Sequence, residues 1–281
     1  MRVLSWNILN GGSDGGDTTR WHTQAELVGE LAPDVLLVQE VRGFDADGGR
    51  GLHEAEAQLG LRGLLAPAHR TGQHTAVFCA PHLQVRSFTP DTVHFHHALA
   101  LVTVAVPGLP SPLQLASMHL SPLSPALRSA EVGWLAALAA PGAFALLAGD
   151  ANSLAPGDPE PPGWPSLPAH LRVRYTHPST EPGPATADRS ALHFLHAAGL
   201  VDAARADDGT VDTTATVPTR GYPDAEFVSF RSDHVLLSPA LAPTRTGYRV
   251  ITDDRAHATS DHLPVLVELD LDRLATTRAT A

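Results

Sequence analysis

The sequence predicts an α/β fold, and two of its features support this prediction. Short apolar runs with strand-like composition alternate along the 281 residues with longer segments that have helical spacing. Polar residues also stand where several apolar runs end, and buried strands that end in polar groups can gather those groups at one edge of a sheet. These residues are Asn7, Glu40, His119, Asp150 and His262. Any one of them is more simply interpreted as a polar residue that ends a strand, so only the whole set indicates a site.

The elements follow from the periodicity of the apolar residues. Strands are predicted over the runs 2–8, 34–40, 74–80, 93–106, 113–120, 143–149, 233–237 and 262–269. Helices are predicted over 18–31, 52–59, 125–139 and 188–198. The first helix places Trp21, Ala25 and Val28 on one face and ends before Pro33. The last of the four ends at Gly199, a residue type that commonly follows a helix.

The chain is predicted to form one domain. Two stretches rich in proline and glycine, 155–168 and 178–184, are predicted as loops rather than as a domain linker, because apolar segments resume after each. No internal repeat or long low-complexity tract interrupts the chain. We therefore expect a single domain over residues 1–272, followed by a C-terminal tail over 273–281.

Composition excludes several classes of protein. Hydrophobic residues make up 43% of the chain and charged residues 17%, which excludes wholesale disorder. No apolar run reaches the roughly 18–20 residues that a membrane-spanning helix needs. The first residues do not resemble a signal peptide, so a cytoplasmic location is expected. Cys79, the single cysteine, cannot form an internal disulfide, which fits a reducing compartment.

The charge balance bears on the binding partner. The chain has 30 acidic residues and 19 basic ones, all of them arginine, for a net charge of -11. A broad basic surface for polyanions is therefore not available, because affinity for nucleic acid depends on neutralising phosphates. A bound metal ion can still create a local positive site in an acidic protein.

Glu40 ends a strongly apolar run, where a lone buried carboxylate would be costly. It lies either at a wet sheet edge or next to a hard cation. Mg²⁺ accepts one or two protein carboxylates and completes its octahedron with water and substrate phosphate. Taken alone, this motif does not separate the two interpretations.

A second motif begins at Gly149, which permits a close backbone approach or an unusual dihedral angle. Asp150 and Asn152 follow it two positions apart and share a face if the strand continues. A carboxylate beside a neutral donor suits a group that activates water and a group that stabilises developing negative charge. An ordinary Asx turn after a strand explains the same residues more simply.

Two Ser-Asp-His triplets, at 232–234 and 260–262, each lead into an apolar run. A histidine held by a carboxylate has a fixed tautomer and can act as a general base. The carboxylate belongs either to the same triplet or to the other one, and chance duplication of a triplet remains an alternative. His119 is one of 16 histidines and carries little weight by itself.

The combination of these motifs is more specific than any of them alone. In order, the chain carries SWN at 5–7, QE at 39–40, SMHL at 117–120, GDANS at 149–153, RSDHVLLS at 231–238 and SDHLPV at 260–265. This order and spacing resemble the endonuclease/exonuclease/phosphatase superfamily of metal-dependent phosphoesterases, which have the DNase-I-like fold. The resemblance covers nearly the whole chain, from residue 5 to about residue 268.

The resemblance implies a four-layer α/β sandwich, in which two mixed β-sheets pack face to face and helices flank them. It also implies a site at one edge of the sandwich that binds Mg²⁺, with Mn²⁺ as a substitute. Glu40 resembles the principal metal ligand of the family, with Asn7 beside it. Asp261 is similar to the family's secondary carboxylate for the metal or its water network.

The catalytic roles are implied in the same way. Asp150 resembles the residue that orients or deprotonates the attacking water, and Asn152 resembles a donor to the scissile phosphate or the nucleophile. His262 is expected to pair with Asp233 and to contact the phosphate as donor or base. His119 resembles a phosphate donor, or an acid near the leaving group. Whether Asp150 or His262 takes the proton of the water is left open.

The chain departs from the family pattern at several histidines. His74 stands in the segment where many nucleases of the family carry a tyrosine, so a tyrosine ligand to phosphate is not identified. His234 is expected to be a wall of the site rather than a catalyst. His94, His96 and His97 are expected at the rim or on the surface, because nothing near them in the sequence completes a metal set.

The motifs indicate the reaction class, whereas the substrate depends on loops. The candidate loops, 10–20, 43–51, 153–186 and 206–226, hold few arginines, and the surface stays acidic when the matched carboxylates are set aside. A monomeric hydrolase of a small phosphomonoester or phosphodiester is therefore favoured. A DNA endonuclease or exonuclease is the alternative, although the acidic charge does not favour nucleic acid. A biosynthetic or binding protein on the same scaffold is a further alternative.

Overall fold

The computed structural model describes residues 1–176 and 186–274. The predicted loop 178–184 and residues 275–281 of the predicted tail lie outside the described residues, and the domain boundary at residue 272 stays a prediction. The strands are β1 (Arg2–Asn7), β2 (Val35–Gln39), β3 (Arg62–Ala66), β4 (Thr75–Cys79), β5 (Gln84–Asp91), β6 (Leu99–Ala105), β7 (Leu113–His119), β8 (Phe144–Asp150), β9 (Val201–Asp202), β10 (Asp233–Leu237), β11 (Arg245–Val250) and β12 (Val265–Leu269). The helices are α1 (Thr19–Leu31), α2 (Ala46–Leu59), α3 (Pro125–Val132), α4 (Ala169–Arg172), α5 (Ser190–Ala197) and α6 (Asp254–Thr259).

The strands form two six-stranded mixed sheets. The first sheet has the order β11-β12-β1-β2-β4-β3 and the second the order β5-β6-β7-β8-β10-β9. The pairs β1–β2 and β7–β8 are parallel and their other neighbours are antiparallel. The predicted α/β class and the two mixed sheets are therefore confirmed.

Apolar residues fill three layers, because alternate residues of a buried strand point to opposite faces of its sheet. Val3 and Leu37 of the first sheet share a core cluster with Leu115 of the second, and this cluster lies between the sheets. On the outer face of the first sheet, Trp6 packs in a cluster with Val28 of α1. A third cluster covers the second sheet with residues of α3 and α5. The order is thus helix, sheet, sheet, helix, which confirms the sandwich.

The strand predictions succeeded at the interior of both sheets and failed at their edges. Each interior strand coincides with a predicted apolar run, whereas the four edge strands β3, β5, β9 and β11 were not predicted. An edge strand has fewer covered residues, so its apolar periodicity is weak. β5 shows this clearly, since all of its residues are exposed or half-buried and one is Pro90.

Three predicted elements differ most from the observed bounds. The strand predicted from residue 93 begins only at Leu99, because the carboxylate of Asp91 accepts hydrogen bonds from the backbone N–H groups of Val93 and His94 and forms a turn. The helix predicted over 125–139 ends at Val132, and a separate short 3₁₀ turn covers 136–139. The short helix at 52–59 extends back to Ala46, but Asp47, Gly48 and Gly49 have left-handed φ values, so regular helix begins only after Gly49. No helix in the described ranges is long and apolar enough to cross a membrane.

Candidate active site

The sandwich brings the predicted site residues together at one edge of both sheets. Asn7 ends β1 and Glu40 follows β2 in the first sheet, while His119 ends β7 and Asp150 ends β8 in the second. Asp233 opens the antiparallel neighbour of β8 and pairs with Asp150 in register. Because Val235 and Leu237 of the same strand lie in the core between the sheets, Asp233 points toward that interface as well.

One carboxylate oxygen of Asp150 is held by residues next to it at the edge of the second sheet. Asp150 Oδ1 accepts hydrogen bonds from the hydroxyl of Ser232 at 2.6 Å and from the backbone N–H of Asn152 at 2.9 Å. Gly149 makes the approach to β7 close, since a Cβ at this position would collide with the carbonyl of Met118. These contacts fix the direction of the Asp150 carboxylate before any ligand binds.

The other oxygen of Asp150 faces three side chains. Asp150 Oδ2 lies 3.3 Å from Nδ2 of Asn7, 3.3 Å from Nε2 of His119 and 3.6 Å from Nε2 of His262. Asp150 is buried, with 2% of its surface exposed. Burial tends to raise the pKa of this carboxyl, but the charges of His262 and His119 outweigh that effect and lower it. Asp150 is therefore ionised at the centre of the cluster.

His262 is fixed by Asp233. Nδ1 of His262 lies 2.8 Å from Oδ2 of Asp233, and both side chains are buried. Its backbone is held too, because the indole N–H of Trp6 donates to the His262 carbonyl at 2.9 Å. Burial opposes the charged imidazolium, yet the carboxylates of Asp233 and Asp150 raise the pKa of His262 well above 6.5. The expected pairing is present, and it favours the protonated form of His262.

His119 is in a similar electrostatic position. Burial lowers its pKa, but the hydrogen bond and the charge of Asp150 outweigh burial, so the pKa of His119 is raised. Its second ring nitrogen, Nδ1, is buried and has no hydrogen-bond partner in the described ranges. A protonated His119 thus directs one N–H to Asp150 and leaves the other, buried N–H without a partner among the described residues.

Glu40 occupies a separate position at the end of β2. Its backbone has φ 61°, a left-handed conformation that is costly for a residue with a side chain. Its carboxylate accepts hydrogen bonds from the backbone N–H of Asn10 at 3.0 Å, from Gln73 Nε2 at 3.1 Å and from Asn7 Nδ2 at 3.3 Å. Burial raises the pKa of the nearby Asp261 carboxyl, and the negative charge of Glu40 adds to that increase.

The donor set at Glu40 fits a hard cation that keeps much of its water. The described residues contain no group of three or more His, Cys, Asp or Glu side chains arranged to hold a metal. Mg²⁺ does not need such a group, since one or two carboxylates with water and phosphate satisfy it. Glu40 and the half-buried Asp261 supply two negative charges whose mutual repulsion a cation would relieve. Asn7 presents its amide nitrogen to Glu40, while its Oδ1 accepts from the backbone of Leu9.

Asn152 lies beside this centre with its side chain partly engaged. Its backbone is left-handed, with φ 48°, and Nδ2 donates to the carbonyl of Leu120 at 3.0 Å. An amide nitrogen has two hydrogens, so one of them remains for a ligand. The expected Asx-type turn is also present, because the carboxylate of Asp150 accepts from the backbone of Asn152. The two interpretations of this motif are compatible.

The two Ser-Asp-His triplets serve different purposes. Both serines support the site: Ser232 binds Asp150, and the hydroxyl of Ser260 donates to the carbonyl of Asn7 at 2.7 Å. The histidines diverge, because His234 lies on the face of β10 opposite to Asp233. It is fully buried and contacts the carbonyl oxygen of Ser153 at 3.0 Å. The prediction that His234 forms a wall of the site is wrong.

His97 was expected at the rim or surface, and this expectation is also wrong. It is 6% exposed, and its ring stacks on that of His119 with 4.0 Å between the ring centroids. Residues 93–98 form a turn before β6 rather than part of a strand, so alternate side chains do not share a face there. His94 and His96 remain exposed or half-buried, as expected.

Sequence reasoning also missed a tyrosine and a glutamate next to the site. The hydroxyl of Tyr175 donates a short hydrogen bond to the carboxylate of Glu226. Burial raises the pKa of Glu226, and the charges of His262 and Asp150 act on the same carboxyl, so this pair lies within electrostatic range of the centre. Both residues lie in the predicted substrate loops, 153–186 and 206–226. Their position in these loops is the only indication of them that the sequence offers.

Comparisons with known proteins agree with this geometry. The model of the endonuclease/exonuclease/phosphatase family matches residues 4–262. No curated protein is similar enough in sequence to count as a match. Among solved structures, an endonuclease/exonuclease/phosphatase from Beutenbergia cavernae is 20% identical with a TM-score of 0.66, over 95% of this chain and 70% of that one.

Two further structures share the fold. A mannosyl-6-phosphatase from Bacteroides thetaiotaomicron is 16% identical with a TM-score of 0.65, over 96% of this chain and 99% of that one. TDP2 from Caenorhabditis elegans is 19% identical with a TM-score of 0.61, over 95% of this chain and 74% of that one. Since the family model spans most of the chain and the motifs converge at one sheet edge, this chain belongs to the endonuclease/exonuclease/phosphatase family.

Proposed function

We propose that this protein is a divalent-metal-dependent phosphoesterase that hydrolyses a phosphomonoester or phosphodiester by in-line attack of an activated water. The observation that carries the proposal is the position of Asp150, whose carboxylate faces both His119 and His262. In-line phosphoryl transfer needs a positioned water, neutralised phosphoryl oxygens and help for the leaving oxygen. The cluster supplies a group for each of these tasks.

Glu40, with Asp261 beside it, would hold the metal, while Asn7 would orient the Glu40 carboxylate through its amide nitrogen. When bound, Mg²⁺ or Mn²⁺ would neutralise charge on the phosphoryl oxygens. The three donors that already fix the Glu40 carboxylate keep it pointed at one place, which limits the reorganisation that binding requires. We infer that the left-handed backbone at Glu40 is maintained for this purpose.

The pKa shifts support a division of labour among the other residues. His262 has a raised pKa and is protonated at neutral pH, so it acts as a donor to a phosphoryl oxygen rather than as a base. The pKa of Asp150 is lowered, so its carboxylate is available to orient the water and receive its proton. His119, whose pKa is also raised, would donate a proton to the leaving oxygen.

The charge of the chain supports a small phosphoester as the substrate. The net charge of -11 disfavours a long polyanion, whose affinity depends on many neutralised phosphates. A single phosphate group is served instead by the local donors His119, His262 and Asn152 together with the metal. The cytoplasmic location and the monomeric state stay predictions.

A panel of phosphate esters assayed with Mg²⁺, with Mn²⁺ and with excess EDTA tests the proposal. We expect hydrolysis of bis(p-nitrophenyl) phosphate or of small monoesters, little cleavage of plasmid DNA and no activity in EDTA. Asp150→Asn and His262→Ala should each abolish turnover, whereas His94→Ala, outside the cluster, should not. Full activity in excess EDTA, or unchanged activity of Asp150→Asn, would overturn the proposal.

A further inference from the structure

His97 is a buried histidine that packs flat against His119. The ring centroids are 4.0 Å apart and the ring planes differ by 21°. His119 in turn lies 3.3 Å from the carboxylate of Asp150. Any movement of the His97 ring therefore changes the space in which the His119 ring sits.

The hydroxyl of Thr71 holds His97 from its other side. Nδ1 of His97 lies 3.0 Å from Oγ1 of Thr71, and the same oxygen accepts a hydrogen bond from the backbone N–H of Gln73 at 3.3 Å. The Thr71 hydroxyl therefore fixes the edge of the His97 ring, whichever of the two groups donates the proton. Burial lowers the pKa of His97 to about 2, so the ring is neutral and does not repel a protonated His119.

A purely structural role does not account for the chemistry of this side chain. Nε2 of His97 is buried and has no hydrogen-bond partner in the described part of the chain. A buried polar group without a partner costs stability, and phenylalanine would fill the same space without that cost. A residue that breaks a local rule in this way is expected near functional groups.

The segment 71–73 also reaches the other half of the site. Gln73 Nε2 donates to the carboxylate of Glu40 at 3.1 Å, while Thr71 fixes His97. One short segment between β3 and β4 thus contacts the metal side of the cluster directly and the His119 side through a single ring. His74, at the position where the family pattern has a tyrosine, directly follows this segment.

We propose that His97 is a positioning residue, which holds the His119 imidazole against Asp150 through a stacked ring fixed by Thr71. This inference rests on the proposed phosphoesterase function, in which His119 assists the leaving oxygen. His97 itself touches no substrate in this scheme. The face of the His97 ring packs against His119, and the hydrogen bond with Thr71 sets the angle of that face.

Variants at position 97 separate positioning from simple packing. For His97→Ala we expect kcat to fall about 10- to 100-fold with KM within about threefold of wild type, because a misplaced catalytic group affects the chemical step. His97→Phe, which retains a ring over His119 but loses the Thr71 contact, should recover only part of the lost kcat and should unfold at the same or a higher temperature than wild type. His94→Ala, whose ring stacks on Trp134 outside the site, is the matched control and should keep wild-type kcat.

A measurement without substrate keeps the inference testable if the esters are not hydrolysed. The imidazole NMR signals of His119 should shift in His97→Ala, and more weakly in Thr71→Val, but not in His94→Ala. Unshifted His119 signals in a folded His97→Ala protein would overturn the inference, as would wild-type kcat in that variant. Equal kcat losses in His97→Ala and His97→Phe would also overturn it, since the ring would then not be the feature that matters. Failure of wild type to hydrolyse any ester would instead count against the proposed function, leaving the NMR result to decide the role of His97.

Discussion

His262 and Asp233 join the two sheets of the sandwich, with Nδ1 of the histidine 2.8 Å from Oδ2 of the carboxylate. His262 precedes β12 in the first sheet and Asp233 opens β10 in the second. The pair is buried, so its attraction is little screened by solvent. The residues that surround Asp150 therefore come from both sheets, and this contact connects them.

Replacing the carboxylate in this pair is expected to change the charge of His262. In Asp233→Asn the pKa of His262 should fall, because a negative charge that stabilises the imidazolium is lost. We expect kcat/KM at neutral pH to drop about 10- to 100-fold, as for other supporting partners of site histidines. A pH–rate profile and an NMR titration of His262 measure both effects. Asp270→Asn, in an exposed pair with Arg273, is the control. An unaltered titration of His262 would contradict the assigned pairing.

The free energy of unfolding should decrease as the pH rises above neutrality. The pKa values of His262 and His119 are raised above 6.5, so the folded state holds protons that the unfolded chain releases. Their stabilising contribution is complete below pH 6.5 and is lost as pH rises through the folded-state pKa values. Denaturant unfolding at a series of pH values from about 6 to about 10 measures this loss of stability. The decline should be smaller in Asp233→Asn, and an equal decline in both proteins would contradict the assignment to His262.

Glu40→Gln tests whether the Glu40 carboxylate holds the proposed cation. The amide keeps an acceptor for Asn10 and Gln73 but loses the negative charge, so the fold should persist while cation affinity falls. We expect activity to fall at least about 100-fold at limiting Mg²⁺ and the half-activating Mg²⁺ concentration to rise. Glu54→Gln, exposed on α2, should match wild type. A Glu40→Gln protein with the wild-type Mg²⁺ dependence would show that this carboxylate does not hold the cation.

Arg231 should be important for stability rather than for turnover. It is buried and forms ion pairs with Asp158 at 2.8 Å and Asp202 at 2.7 Å. Arg231→Met would leave two buried carboxylates without their partner, at a cost of about 3–5 kcal/mol in the free energy of unfolding. Arg220→Met, which breaks an exposed pair, should have no measurable effect. Urea unfolding distinguishes the two, and equal midpoints for both variants would contradict the structural role of Arg231.

The sequence contained more information about the interior of the fold than about its edges. Interior strands are covered on both faces, so their apolar runs are continuous and readable. Edge strands such as β5 and β11 are only partly covered, and their composition resembles that of loops. What places them is pairing with a neighbouring strand, which their own periodicity does not reveal, although for β3, β5 and β11 that neighbour is the next strand in the chain.

The candidate site shows the same division. Residues at strand ends, such as Glu40 and Asp150, were found because their position along a strand determines where they lie. His97 was misplaced because it lies in a turn before β6, where no periodicity relates sequence to direction. The two Ser-Asp-His triplets look alike as sequence, yet one histidine faces the site and the other the outer core, because only the surrounding layers determine which face is inward.

The apolar layer between the sheets has a further consequence for the chemistry at their edge. Next to the cluster, Nε2 of Gln39 in the first sheet donates a hydrogen bond to Oγ of Ser117 in the second at 3.0 Å. Apolar side chains of both sheets fill the rest of the interface. The relative alignment of Asp150 and His262 is therefore set by how the sheets mesh along their whole length. A small void made deep in that interface would loosen the alignment of these two groups, and turnover would report the damage at temperatures where the protein is still fully folded.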